Sequence, residues 1–342
     1  MTKILYGVSP IGFGHASRAV AVGLKLREKS LEPEFATGGG AVSFIRSFGF
    51  KVHDLISAPG LFESRGRIIF SGLWYIRYWF GYRASYSRME ELIREVGPDL
   101  VVGDEEFSGV SVALKKGIKH ALISDELELN FARSFLAEMI EGRVRRWYSD
   151  LQRSVSHLII PDVGQDSGNI HFVSPIVREV TKDRARVLGE HDLPSDKKMV
   201  VFSKSGTGLG GLLEERAIGA FKRSGLRGCF LAVSGGAKTP RSGDVFRLGF
   251  IPDNQNIVAA ADLVISSAGK STIDEAQSCG TPIIAIPFEN HFEQERNARS
   301  LGFSSGDIDR LETLIPEYIS KRSEPRRYSG AERTADLLSR LP

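Results

Sequence analysis

Two short stretches carry residue types able to move a proton. In "SPIGFGHASR" (Ser9–Arg18), His15 stands just after Gly12 and Gly14, where a strand-like run gives way to a helix. Imidazole titrates near neutral pH, so a histidine at such a turn can serve as a general base. In "PDLVVGDEEFSG", Asp104 ends an apolar run. A carboxylate bonded to one ring nitrogen holds the tautomer and leaves the other nitrogen as base. Each residue also has a plainer use. His15 could cap or pack, and Asp104, Glu105 or Glu106 could cap the helix that follows. Asp125 and Glu126, after the next apolar run, repeat the pattern in weaker form.

Other stretches suit an anion with hydroxyl groups attached. In "DLVISSAGKSTIDEAQSCGTPIIAIPF" (Asp262–Phe288), Ser267, Gly269, Ser271 and Thr272 lie where strand meets helix. Free backbone N–H groups and the helix dipole favour a phosphate there. Glu275, about one turn in, can accept hydrogen bonds from vicinal hydroxyls such as those of a ribose. The alternative is a solvated helix start, where acidic residues are common. Glu293 and Gln294 open a later helix and form a donor–acceptor pair suited to sugar hydroxyls. A second Gly-rich turn, "FSKSGTGLGG" (Phe202–Gly211), places Ser205, Gly206 and Thr207 for phosphate binding. Gly206–Gly211 also spells G-x-G-x-x-G, so a dehydrogenase has to be weighed. The next strand ends in Ser234, Gly235 and Gly236, with no acid for a ribose of NAD, which counts against that reading.

The elements that must position these residues follow from hydrophobic patterning. Short apolar runs at Lys3–Val8, Pro33–Thr37, Lys51–Leu55, Asp99–Asp104, Lys119–Ser124 and His157–Pro161 alternate with helical stretches. The same alternation restarts at Met199–Ser203, Cys229–Ser234, Val245–Phe250, Asp262–Ser266 and Pro282–Pro287. This predicts an α/β chain with two Rossmann-like parallel-sheet domains facing a cleft. The expected division is one Rossmann-like domain over 1–175, a second over 176–324 and a helical tail over 325–342 that could pack on either of them. A chain of 342 residues with 42% hydrophobic and 25% charged residues fits a soluble globular protein. Lys and Arg exceed Asp and Glu by 45 − 42 = 3, too few to point to nucleic acid. The start "MTKILYGV" runs straight into a strand, with no leader expected, and no apolar run reaches the roughly 20 residues of a membrane span. Two cysteines, Cys229 and Cys279, fit a reducing cytoplasm.

Taken together, these residues resemble the GT-B fold nucleotide-sugar glycosyltransferases, especially the MurG-like transferases and their UDP-glycosyltransferase relatives. "GFGHASR" is similar to the Gly-rich first loop with its His, and Gly249–Ala298 is similar to the donor-binding signature over its whole length. The resemblance implies that Phe250 and Ile251 lie by the base. It implies that Ser267 through Thr272, with Ser205–Gly208, hold the diphosphate of a UDP-sugar. It further implies Glu275 on the ribose, Glu293 and Gln294 on the donor sugar, His15 as base with Asp104 orienting it, an acceptor domain over 1–175, a donor domain over 176–324 and a tail helix that crosses back to the N-terminal domain. Ser267 and Lys270 depart from the plant-type signature, which has His and Trp there; Lys270 could replace the lost charge. The expected activity is inverting transfer to an acceptor hydroxyl, with a hydrolase, an epimerase and a non-catalytic binding protein as other readings.

No metal or cofactor is expected, because the D-x-D at Asp307 and Asp309 reads as surface and no His/Cys cluster has ligand spacing. The acceptor is left open. Trp74, Tyr75, Tyr78, Trp79, Phe80 and Tyr82 crowd one helix with Arg77, Arg83 and Arg88. That composition suits either a buried helix or contact with a lipid-linked acceptor at the inner membrane face.

Overall fold

The computed structural model describes residues 2–125, 135–204 and 211–341. The chain forms two compact units. The first comprises Met1–Phe62, Phe70–Val177 and Tyr328–Pro342; the second comprises Glu63–Ile69 and Arg178–Arg327. Expectation had put the boundary near residue 175 and had not separated out residues 63–69.

The first unit is built from β1 (Ile4–Val8), α1 (Gly14–Glu28), β2 (Pro33–Thr37), α2 (Gly40–Arg46) and β3 (Val52–Asp54). A short pair, β4 (Phe62–Ser64) and β5 (Arg67–Ile69), precedes α3 (Ser71–Val96). Then come β6 (Leu100–Asp104), α4 (Phe107–Lys116), β7 (Lys119–Ile123), α5 (Phe135–Ser154), β8 (His157–Ile160) and β9 (Ile170–Phe172). β9 was not foreseen: it is three half-buried residues at the sheet edge, too short and polar for an apolar run.

The sheet is parallel, in the order β3-β2-β1-β6-β7-β8-β9. The strand order therefore reverses between β1 and β6. A crevice opens at such a point, outside the carboxyl ends of the strands, because successive connections leave to opposite faces. The buried strands are nearly continuous apolar runs, with Tyr6, Phe35, Val102 and Ile123 in one core.

The second unit runs α6 (Arg184–Glu190), β10 (Lys198–Ser203), α7 (Gly211–Arg223), β11 (Cys229–Ser242), β12 (Val245–Gly249), α8 (Asn254–Ala260) and β13 (Leu263–Ser266). It continues with α9 (Lys270–Ser278), β14 (Ile283–Ala285), α10 (Phe292–Ser300) and α11 (Leu311–Tyr318). Its strand order is β12-β11-β10-β13-β14, so the reversal falls between β10 and β13. β11 overshoots the expected Ser234, and its far end pairs with β12 again (Thr239↔Arg247, Ser242↔Val245). The β4–β5 pair docks on this unit: Ile68 N–H donates to Glu289 O at 2.8 Å, and Arg67 Nε bonds the Glu289 carboxylate at 2.6 Å.

The last helix, α12 (Gly330–Ser339), returns to the first unit. Ala335 and Leu338 join the core with β1 and α1, and Asp336 pairs with Lys29 at the end of α1.

Candidate active site

In the first unit the switch point brings His15 and Asp104 together. β1 and β6 pair in register, with Val8 opposite Asp104, and Ser9 N–H donates to Asp104 O at 2.9 Å. The chain leaves β1 through Gly12 at φ 71°, a left-handed turn that favours glycine. Gly14 then opens α1, putting His15 in its first turn. His15 Nδ1 lies 3.2 Å from Asp104 Oδ1, and the imidazole keeps 23% of its surface exposed while the Asp104 side chain has none. The ring is thus within reach of a substrate and its anchor is not.

Arg18, which the sequence reading did not single out, completes the cluster. It lies three residues on from His15, on the same face of α1. Its Nε donates to Asp104 Oδ2 at 2.8 Å, its Nη1 bonds Asp125, and its Nη2 lies 3.2 Å from His15 Nδ1. Asp125 therefore serves Arg18; Glu126 lies outside the described residues.

The electrostatics follow from these bonds. Burial works against ionising Asp104, but the charge and bonds of Arg18, with the His15 bond, hold its carboxyl below the usual value of 3.8. Burial also pulls the His15 pKa down, and Arg18 adds to that. The bond from Asp104 and the charges of Asp104 and Asp125 outweigh both, so His15 titrates above its ordinary 6.5.

The next two acids have separate uses. Glu106 caps α4, accepting from Ser108 N at 2.8 Å and Gly109 N at 2.9 Å. The helix-capping alternative therefore falls on Glu106, not on Asp104. Glu105 takes a positive φ of 45° and accepts from Ser124 Oγ at 2.7 Å and Asp125 N at 3.0 Å. Burial, aided by the Asp125 charge, pushes its carboxyl up to about 7. Glu105 lines a pocket with Ser9, Ser57, Tyr78, Tyr82 and Ser85.

In the second unit the turn after β13 runs through buried Ser267 and Ala268, the latter at φ 60°, to Gly269. Gly269 is the N-cap of α9 and offers no side-chain cap to the helix start. Ser271 and Thr272 sit half-buried in the first turn. Lys270 is engaged along its own helix, with Nζ 2.7 Å and 2.8 Å from the two oxygens of Asp274. Its charge is thus shared with Asp274 at the turn after β13, which tempers the expectation that it replaces a missing contact. Asn297 of α10 donates to Ala268 O at 3.2 Å and ties the turn down.

Glu275 is buried, and Arg178 Nη2 donates to its Oε1 at 3.2 Å, while Arg178 Nη1 bonds Pro252 O. Nothing in "SPIVREV" announces Arg178, because its partner lies on a distant helix. Pro252 follows Phe250 and Ile251, so Arg178 links the carboxylate to that loop. Phe250 is 44% exposed and Ile251 is buried. Gln294 turns inward, its Oε1 accepting from Phe288 N at 3.1 Å, and Glu293 is half-buried beside it. Ser205, Gly206 and Thr207 lie outside the described residues.

Asp307 makes a capping box with Ser304 and pairs with Arg310 at 2.7 Å, and Asp309 pairs with Arg216 at 3.5 Å. Among the described residues, no group of three or more His, Cys, Asp or Glu could hold a metal ion. The aromatic helix α3 divides: Trp74 and Tyr75 are buried, whereas Trp79 and Phe80 are exposed.

Residues 236–321 match the glycosyltransferase family 28 C-terminal domain. An uncharacterized glycosyltransferase of Methanosarcina acetivorans is 26% identical over 319 residues, covering 86% of this chain and 82% of that one. The UDP-N-acetylglucosamine–N-acetylmuramyl-(pentapeptide) pyrophosphoryl-undecaprenol N-acetylglucosamine transferase of Clostridioides difficile is 23% identical over 354 residues, covering 94% of this chain and 80% of that one. Among solved structures, the glycotransferase of kitacinnamycin superposes with a TM-score of 0.65 at 16% identity, covering 100% of this chain and 99% of that one. With two parallel sheets, a family 28 C-terminal domain and these likenesses, the chain is a glycosyltransferase of the GT-B fold, similar to the MurG-like transferases.

Proposed function

We propose that the chain transfers a sugar from a nucleoside diphosphate sugar, with uridine as its base, to an acceptor hydroxyl with inversion. The observation that carries this reading is the 3.2 Å contact between His15 Nδ1 and Asp104 at the switch point of the first sheet. With Nδ1–H donating to Asp104, Nε2 is left to take the acceptor proton. The acceptor oxygen bonds to the anomeric carbon as the bond from that carbon to the diphosphate breaks. The electron pair leaves on the diphosphate. Backbone N–H groups at the start of α9, with Ser271 and Thr272, take up that charge, and Glu275 receives the ribose hydroxyls. This leaves the departing charge on a helix start, with no metal required. Support for uridine comes from the name of the Clostridioides difficile relative, which specifies UDP-N-acetylglucosamine.

A lipid-linked acceptor is supported by the exposed flank of α3 and α5. Phe70, Leu73, Ile76, Trp79, Phe80 and Phe135 are exposed there, with exposed Arg77 and Arg83 among them. Apolar side chains with cations suit the cytoplasmic face of an anionic membrane. Among the described residues, no helix is long and apolar enough to cross one.

The test is donor turnover with UDP-, GDP-, TDP- and ADP-sugars, with the product's anomeric configuration read by NMR. Inversion with a UDP-sugar is the expected result. Retention at the anomeric carbon, or conversion of the donor to an isomer with no acceptor, would overturn the mechanism.

A further inference from the structure

His15 has two neighbours that make opposite demands on the same nitrogen. Asp104 Oδ1 and Arg18 Nη2 each lie 3.2 Å from Nδ1. A carboxylate can only accept there, so its bond requires Nδ1–H and leaves Nε2 free as a base. A guanidinium can only donate, so its bond would require a bare Nδ1 and put the proton on Nε2, making the ring an acid. Arg18 is otherwise committed: Nε and Nη2 grip the two oxygens of Asp104, and Nη1 holds Asp125. Its side chain is 7% exposed and cannot swing away into solvent.

The charged groups around His15 come from three elements. Arg18 is on its own helix, Asp104 and Glu105 are at the end of β6, and Asp125 follows β7. Three acids and one cation would, by charge alone, favour the imidazolium. The Arg18 grip on both oxygens of Asp104 offsets that pull, and the shared carboxylate is a weaker magnet for a second proton than a lone one.

We propose that Arg18 is a positioning residue that shares Asp104 with His15, so that the carboxylate is held where it orients the ring and leaves Nε2 available as base. Arg18 does not touch the reacting atoms. It fixes the carboxylate that orients the ring and supplies the positive charge that opposes a second proton on it. This rests on the reading of His15 as base, but the effect of Arg18 on His15 can be measured without any turnover.

The experiment is an NMR titration of the His15 Cε1 proton in the full chain, assigned by its disappearance in His15→Gln. The comparison is wild type against Arg18→Gln. Loss of the cation should move the His15 titration upward by about one pH unit, and the acid limb of kcat/KM should move with it. Arg18→Gln strands the buried Asp104 and the half-buried Asp125 carboxylates, so the charge-balanced Arg18→Gln/Asp125→Asn variant is titrated as well. It loses the cation that lies against Nδ1 together with the anion bonded to that cation, and the shift should still be upward. A His15 titration at or below the wild-type value in either folded variant overturns the proposal. If His15 shifts as expected but transfer is unchanged by His15→Gln, Arg18 sets the proton affinity of a residue that is not the base, and the proposed mechanism fails instead.

Discussion

His15 and Asp104 stand 89 positions apart in the chain and 3.2 Å apart in space. Strand pairing explains the meeting: Val8 and Asp104 are register partners at the carboxyl ends of β1 and β6. A short Gly-rich turn then carries the chain from Val8 to His15.

His15→Ala should lower turnover by roughly 10²- to 10⁴-fold while leaving nucleotide binding unchanged. Steady-state kinetics beside calorimetric binding of UDP checks this, and unchanged turnover would remove His15 from the mechanism.

The pH dependence has a definite sign. His15 must be neutral to act as base, and its folded value lies above 6.5. Activity should therefore rise with pH along a limb centred above 6.5. The stability linkage runs the other way: because the folded pKa is raised, the contribution of His15 is complete below about 6.5 and is lost as pH rises through the folded value. Asp104, whose pKa is lowered, contributes above about 3.8, and its share is lost as pH falls through the folded value. A kcat/KM profile and urea melts across pH 3–9 read both effects.

Glu275→Ala should do two things at once. It removes the carboxylate proposed for the ribose, weakening UDP binding by roughly 1.5–3 kcal/mol. It also leaves the buried Arg178 guanidinium without its carboxylate partner, costing about 3–5 kcal/mol of folding stability. Arg178→Met/Glu275→Leu should recover much of the stability and none of the binding. Denaturation and calorimetry on the same samples separate the two, and full UDP binding by the double variant would end the ribose assignment.

Glu106→Ala should destabilise the first unit by about 1–2 kcal/mol, because it removes the acceptor for two N–H groups at the start of α4. Glu106 neighbours the catalytic candidates in sequence but acts as a cap. Urea denaturation reads the loss, and an unchanged midpoint would contradict the capping role.

Trp79→Ser/Phe80→Ser should weaken sedimentation with vesicles of anionic phospholipid by at least about tenfold, since two large exposed apolar groups are removed. Turnover on a water-soluble acceptor should not change. Equal vesicle binding would move the membrane contact elsewhere or abolish it.

Much of the architecture was legible in the sequence because a parallel sheet covered on both faces needs apolar strands. Runs such as "LVVGD" and "DLVIS" name themselves, and glycines mark the turns after them. His15, Asp104 and Glu275 stand out as candidates for the same reason: each sits at a fixed place after a buried run. What only tertiary structure decided is which side chains share a partner. Arg18 and Arg178 look like ordinary surface cations in the sequence, yet both are buried by bonds to carboxylates on distant elements. The roles of Asp104, Glu105 and Glu106 could not be divided by sequence either, since all three follow one strand. The positive φ at Glu105 and the reach of Glu106 to the α4 amides divide them. Local pattern reports on backbone periodicity and burial, whereas the identity of a charged partner depends on which strands the fold sets side by side.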